Sequence, residues 1–395
     1  MKNVGTMSIG VRTGVIKEGD NLAEITVNSV LNACEELNLP LENKDIIAIT
    51  EAVVSISMGN YCTVDDIVKD LQFKVKTRHL GIVYPILSRN RFAVLLSAFA
   101  RAMDKITFVL SYPSDEVGND ILDKEKLNNS KIPLSNYVML ESEYTELFGD
   151  FKHIFTGVNM VDFYRDICKK ENCEVEFVFS NDPEVILDYT KDVLCADIHT
   201  RNTTKEKILA KEKVNVLTLA DILNKSVDGS GYNSKYGLLG SNRATEEKVK
   251  LFPENGSVFV NKVKDLFKEK ANKDVEVMIY GDGAFKDPVG KIWELADPVV
   301  SPAYTEGLEG SPNEIKLKYL SDNKFSNLKG EELNDAIKTE IRKKESELKG
   351  SMVSQGTTPR RYTDLIGSLC DLTSGSGDKG TPVILIKNYF KNYSN

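Results

Sequence analysis

Residues 355–390, QGTTPRRYTDLIGSLCDLTSGSGDKGTPVILIKNYF, carry the residue types best suited to handling an anion. The glycine-rich loop Gly375-Ser376-Gly377-Asp378-Lys379-Gly380 follows a short helix and precedes Pro382-Val383-Ile384-Leu385-Ile386, a run too short and too β-branched for a helix that reads as a buried strand. Glycine lets such a loop turn with positive φ and bring backbone N–H groups close to an anionic oxygen. The same residues also make an ordinary helix-to-strand turn, and residue types alone leave the two readings level. Just upstream, Arg360 and Arg361 carry guanidinium forks able to clamp a carboxylate or phosphate, and Tyr362 could stack on a flat ring. A solvated basic pair is the plainer alternative.

A second set of candidates is acidic. Asp115, Glu116, Asp120, Asp197, Asp282, Asp287 and Asp378 stand at or near expected strand ends. Phosphoryl-transfer sites hold Mg²⁺ or Mn²⁺ with one or two carboxylates, and waters and phosphates complete the shell. A turn or capping role is the more ordinary reading of each residue alone, and Asp282-Gly283 could be a two-residue hairpin turn. Residues 375–380 satisfy the pattern GxGxxG, but a dinucleotide fingerprint needs strand, loop, helix, and the order here is helix, loop, strand. No GxxxxGK[ST] occurs, so a bound nucleotide is not held by a Walker loop.

The elements that must position these groups alternate along the chain. An alternating segment at 8–17 leads to a helix from Asp20 or Asn21 to about Leu37, with Asn21 and Glu24 at capping-box spacing. Asp45 to Thr50 reads as a buried strand that 51–55 extends or turns from, and Thr63 with Asp66 forms a second capping box opening a helix. A helix over 88–103 precedes a strand over 105–112, and 121–150 reads as a polar surface excursion. Helix 159–171, strand 174–180, a helix opening at Asp182, the apolar run from Val193, strand 214–217, a loop over 226–236 and strand 275–280 follow. Asn242 or Thr245 is expected to begin a helix, and 330–350 a charged surface helix with the stripe Leu333, Ile337, Ile341, Leu348. Trp293 reads as a core or interface anchor. The mixture indicates an α+β (mixed α/β) chain.

At 395 residues, the chain can bury one large core or two. A hydrophobic content of 41% and a charged content of 28% are those of a globular protein, and a net charge of -8 argues against a general nucleic-acid binder. No segment has the ~18 apolar residues of a membrane span, so a cytoplasmic protein is expected. Six scattered cysteines read as free thiols, and His79, His153 and His199 form no zinc motif.

Two stretches at opposite ends carry a resemblance. GVRTGVIKEGDNLAEI with KDIIAITEAVVSISMGN near the start, and TDLIGSLCDLTSGSGDKGTPVILI near the end, resemble the ends of the coenzyme F420-0:gamma-glutamyl ligase family. The resemblance implies a gamma-glutamyl ligase-like fold with a long middle insertion, divided as 1–112, 113–350 and 351–395. It further implies a homodimeric enzyme that joins glutamate to a small carboxylate acceptor, such as coenzyme F420-0 or a folate, with GTP as co-substrate and Mg²⁺ or Mn²⁺. In such an enzyme phosphorylation turns a poor electrophile into an acyl phosphate, and basic groups neutralise the crowded oxygens. By the same resemblance, Thr13, Gly14, Val15, Ile16, Glu51, Ala52, Asn119, Ser374, Gly375, Ser376, Gly377 and Gly380 would bind the nucleotide. Asp115, Asp197 and Asp378 would bind metal, and Arg360, Arg361 and Lys379 would act in catalysis. Two positions depart from the family pattern: Ile56 stands where a basic residue is usual, and Ser376 where an acid is usual in the glycine-rich loop. A nonenzymatic nucleotide- or metabolite-binding protein and a metal-dependent phosphohydrolase are the competing readings.

Overall fold

A computed structural model describes residues 3–89, 91–153, 156–281, 285–286, 293–294, 299–344, 348, 351–354, 360–375 and 377–394. Asp282, Gly283, Asp287, Thr357, Thr358, Ser376 and, as a side chain, Trp293 lie outside the described residues. The α+β class expected from the pattern is the class observed. Contacts divide the chain at points other than 112/113 and 350/351: one unit holds Met1–Val54, Asn255–Gly283 and Val300–Asn395, the other Ser55–Glu254 and Ala284–Val299.

The first unit is built on a five-stranded sheet in the order Met7–Val11, Val383–Lys387, Ile46–Thr50, Glu276–Tyr280, Ala303–Tyr304. Only Ile46–Thr50 and Glu276–Tyr280 run parallel; the other neighbours are antiparallel. The three inner strands are apolar at nearly every position because both sheet faces are covered, which removes the usual alternation. Ile46, Ala48, Met278, Tyr280, Ile384 and Ile386 pack with Ile366 and Cys370 of helix Tyr362–Ser374. Helices Leu22–Glu36 and Gly256–Ala271 pack on each other and on the sheet. The Asn21 box does not form: Asn21 makes no side-chain cap bond, and Glu24 pairs instead with Lys270.

The second unit is a doubly wound sheet in the order Met139–Leu140, Glu174–Phe179, Lys105–Leu110, His79–Val83, Asp192–Cys195, Asn215–Thr218. All but the first are parallel, so in chain order the parallel strands lie third, second, first, fourth, fifth, and the winding reverses between His79–Val83 and Asp192–Cys195. Helices Val64–Lys74, Phe92–Ala102 and Met160–Lys170 contact one another in the main core, whereas helix Arg201–Lys211 and the turn Pro183–Asp188 join the separate cluster of Val83, Cys195 and Ile208. Gly81 is required here, since a Cβ would lie 2.4 Å from Ile186 and 2.8 Å from Thr190.

Several expectations are corrected. Residues 51–55 neither extend the strand nor turn away; they open helix Glu51–Met58. The stretch 121–150 is not a surface excursion: Tyr144 and Phe148 of helix Glu141–Phe148 are buried, with Tyr144 stacked 4.1 Å from Phe179. No helix begins at Asn242 or Thr245; Asn242–Arg243 and Lys248–Lys250 form a hairpin that continues onto Tyr61–Thr63. The Thr63–Asp66 box, by contrast, forms as expected. Among the described residues no helix is long and apolar enough to cross a membrane.

Candidate functional site

In the first unit, the sheet register gathers loops at one end. Val11 lies opposite Val383, Val383 opposite Ile49, and Thr50 opposite Tyr280. The chain therefore leaves the edge strand Met7–Val11 and the inner strand Ile46–Thr50, and enters the inner strand Val383–Lys387, at the same end of the sheet, which collects 12–16, the start of helix Glu51–Met58, 374–375 and 377–381. Short bonds tie these segments together: Arg12 Nε donates to the Lys379 carbonyl at 3.2 Å, Thr381 Oγ1 to the Ser374 carbonyl at 3.0 Å, and the Thr50 N–H to the Pro382 carbonyl at 2.9 Å. Gly14 and Gly380 hold φ of +77° and +65° with open space where a Cβ would stand, so backbone is accessible there. At Gly375 the side chain of Lys379 fills that position instead, with Nζ 2.5 Å from the Cβ that any other residue would add. Val15 at the tip of its loop is 88% exposed, while Ile16 behind it is buried. Thr13, Gly14, Val15, Ile16, Glu51, Ala52, Ser374, Gly375, Gly377, Asp378, Lys379 and Gly380 are thus brought to one sheet end.

Arg360 and Arg361 are not. Arg361 is the N-cap of helix Tyr362–Ser374 and the glycine-rich loop leaves its other end. At 1.5 Å per residue that helix holds the arginines about 20 Å from Lys379 within one chain, too far to share a phosphate. Tyr362 is no stacking platform either, because its ring meets Phe390 edge-on at 5.5 Å and Tyr389 at 6.3 Å in the unit's own core.

In the second unit the expected metal aspartates follow the carboxyl ends of Lys105–Leu110 and Asp192–Cys195, the two parallel strands on either side of His79–Val83, near the winding reversal where open α/β sheets form ligand crevices. Asp115 is buried, and its two oxygens accept four bonds: Oδ1 from the N–H groups of Val117 (3.1 Å) and Asn119 (2.8 Å), Oδ2 from the Leu87 N–H (2.9 Å) and Asn119 Nδ2 (2.8 Å). Burial pushes its carboxyl above the usual range and these bonds oppose that. A carboxylate has about four acceptor positions, and all are filled. As placed, Asp115 organises its loop and has none left for a metal. Asn119 is likewise spent on Asp115 and, at 3.3 Å, on His153 Nε2.

Asp197 differs. Its Oδ2 accepts from Thr200 Oγ1 and Thr204 Oγ1, each at 2.6 Å, while the buried Oδ1 has no hydrogen-bond partner among the described residues. Burial pushes this carboxyl up, the hydroxyls pull it down, and the Glu116 charge adds to the rise. Glu116 lies over the entry to helix Arg201–Lys211: its carboxylate accepts from the Ile198 N–H, from the His199 N–H at 3.1 Å, and from the Thr200 N–H and Oγ1 at 3.1 and 3.0 Å. Beside this segment, an apolar pocket is lined by Ile86, Phe92, Leu95, Ala196, Ile198 and Leu239. Among the described residues no three His, Cys, Asp or Glu side chains converge as a metal centre would require. Of the two expected metal aspartates, Asp115 has its acceptor positions filled and Asp197 keeps one oxygen unbonded among the described residues.

The family described as F420-0:Gamma-glutamyl ligase has a sequence model that matches residues 10–388. The chain belongs to that family. Membership makes it an enzyme of the acid–amino-acid ligase class, acting on small molecules. A search of the curated proteins finds no match to the chain. Of the stretches that carry the resemblance, all but residues 55–60 fall in the ligase family member's first unit, and their convergence on one sheet was not visible from spacing. Tyr84 and Thr200, which flank Asp197, were missed in the sequence because nothing in their local pattern separates them from loop residues.

Proposed function

We propose that the protein joins glutamate, through its amine, to the carboxylate of a small acceptor such as coenzyme F420-0 or a folate, at the expense of GTP and with Mg²⁺ or Mn²⁺. The observation that supports the reading is the match over residues 10–388, together with the gathering of the matched loops at one sheet end. In the first step an acceptor carboxylate oxygen takes the γ-phosphoryl group and GDP leaves. In the second the glutamate nitrogen bonds to the acyl carbon, the C–O bond to phosphate breaks, and the nitrogen gives up a proton.

Both steps crowd anionic oxygens, which positive charge and oriented N–H groups stabilise. Arg12 and Lys379 supply the charge at this sheet end, and the accessible backbone at Gly14 and Gly380 supplies donors. Glu51, buried at the start of its helix, adds a carboxyl group to this sheet end. The divalent-metal requirement and a homodimeric state rest on the family resemblance.

Calorimetric titration of GTP, with ATP as control and with or without Mn²⁺ or Mg²⁺, tests the nucleotide half. Nucleotide consumption that requires both glutamate and an acceptor tests the rest. Metal-dependent binding that prefers GTP is expected; turnover with neither glutamate nor acceptor would replace the ligase reading by a phosphohydrolase.

A further inference from the structure

Among the described residues, two buried polar atoms of the second unit lack hydrogen-bond partners at adjacent strand ends. Asp197 Oδ1 is one, and the Tyr84 hydroxyl is the other. Tyr84 follows His79–Val83 and Asp197 follows Asp192–Cys195, strands that pair directly through Val83 and Cys195. Burial holds the Tyr84 phenol well above its usual range, and the charges of Asp182 and Asp197 add to this, so the two groups sense each other. A buried acceptor and a buried donor left unpaired each destabilise the folded chain. Tyr84 also holds φ of +53°, a conformation unfavourable for an aromatic residue. Unpaired groups and a strained backbone coincide at the winding reversal of a doubly wound sheet, where such sheets bind ligands.

Next to these atoms stands the cradle that Glu116 occupies. It comprises the N–H groups of Ile198, His199 and Thr200 with the Thr200 hydroxyl, at the entrance to an eleven-residue helix. Such an array suits any carboxylate or phosphate. Thr200 Oγ1 lies 3.0 Å from Glu116 and 2.6 Å from Asp197, and having one proton it cannot donate to both. Asp197 is therefore one hydroxyl away from the cradle, and the carboxylate in the cradle is imperfectly satisfied. Exchanging Glu116 for an external carboxylate leaves the local charge count unchanged.

We propose that this crevice is a binding site for a small anion bearing a hydroxyl beside its charged group, a hydroxy acid or a sugar phosphate, and that Glu116 is the chain's own stand-in for the ligand's anion. The ligand's carboxylate or phosphate enters the cradle as Glu116 leaves. Its hydroxyl accepts from Tyr84 and donates to Asp197 Oδ1, pairing both orphaned atoms at once. The site is separate from the loops of the first unit and does not depend on the ligase reading.

Calorimetric titration of the full chain, without nucleotide or glutamate, uses lactate and glycerol 3-phosphate as probes, with acetate and inorganic phosphate as plain anions. The hydroxylated probes are expected to bind more tightly than the plain ones, and comparison of lactate with glycerol 3-phosphate assigns the anion. Glu116→Ala should tighten binding of the preferred anion class about ten-fold by vacating the cradle. Tyr84→Phe should weaken the hydroxylated probe about five-fold and leave its plain counterpart unchanged. If Glu116→Ala does not fold, Glu116→Gln, which keeps one acceptor oxygen in the cradle and replaces the other by an NH2 that cannot accept, should tighten binding to a smaller degree. No binding of any probe to wild type or the Glu116 variants overturns the proposal, as does a preference for hydroxylated anions that survives Tyr84→Phe.

Discussion

The two sheets gather functional groups at one end by opposite means. In the first unit, antiparallel pairing places strand exits and entries side by side, and the loops there are glycine-bearing, with Arg12 and Lys379 as their charges. In the second, parallel pairing places all carboxyl ends together, and the charges are acidic: Asp115, Glu116 and Asp197. The difference lies in where each finds its counter-groups. Asp115 and Glu116 are clothed by N–H groups of their own unit, whereas the open backbone at Gly14 and Gly380 has no side chain over it. An external anion meets donors in the first unit and an internal competitor in the second.

The largest effects should come from groups that each unit has sealed inside. Lys387 and Asp45 form an ion pair at 2.6 Å with side chains only 4% and 3% exposed, and Lys387 also donates to the Pro40 carbonyl. Lys387→Met leaves Asp45 buried without its cation, and urea denaturation should show a loss of about 3–5 kcal/mol. Asp115→Ala in the second unit strands the N–H groups of Leu87, Val117 and Asn119 and should cost about 3 kcal/mol by the same measurement. That cost should be the same with and without Mg²⁺ or Mn²⁺. A loss seen only with the metal would return Asp115 to a ligand role and erase the contrast between the units.

Legibility followed locality. The strand at Val383 and the capping box at Thr63 were readable because apolar runs and cap spacing are short-range signals. Helix Glu51–Met58 was not, because EAVVSISM is β-branched and only its junction with the strand end decides for helix. The hairpin at Asn242 was hidden for the same reason: its pairing partner, Tyr61–Thr63, is far away in sequence. At the site, the loops that the resemblance named at 13–16, 51–52, 374–375 and 377–380 converge on one sheet end, whereas Asn119 of the same set lies in the other unit. It also named Arg360 and Arg361, which adjoin the glycine-rich loop in sequence but are separated from it by a whole helix. Glu116 stood among the candidate carboxylates, yet its role depends on N–H groups some eighty residues on.

Within the first unit, the position of the cations gives a graded test. Arg12→Ala or Lys379→Ala removes a charged donor from the sheet end and should weaken GTP binding about ten-fold in calorimetry, less so at high salt. Arg360→Ala with Arg361→Ala should change it less than two-fold, because these side chains stand about a helix length away. An equal loss from both pairs would place the arginines in a neighbouring copy's site and support the homodimer.

The smallest effect, and the one that sharpens the contrast most, is a pH slope. Burial, with the Glu116 charge, holds the Asp197 carboxyl above the ordinary aspartate range in the folded chain. Between the ordinary value near 3.8 and that raised value the folded state carries more protons than the unfolded one, so stability must fall as pH rises through this window. Asp192, on the strand leading to Asp197, has the opposite sign: the bonds from Asn215, Thr77 and Lys76 outweigh its burial and hold it below the ordinary range. Its contribution is complete above the ordinary value and is lost as pH falls through the lowered one. Asp197→Asn should therefore stabilise the chain relative to wild type at neutral pH, with the gain vanishing toward pH 4, whereas Asp192→Asn should destabilise it at neutral pH and less so in acid. Denaturation series at several pH values read both. If Asp197→Asn shows no gain at neutral pH, its carboxylate is satisfied in solution, and the second unit has no more unmet demand for a ligand than its saturated neighbour Asp115.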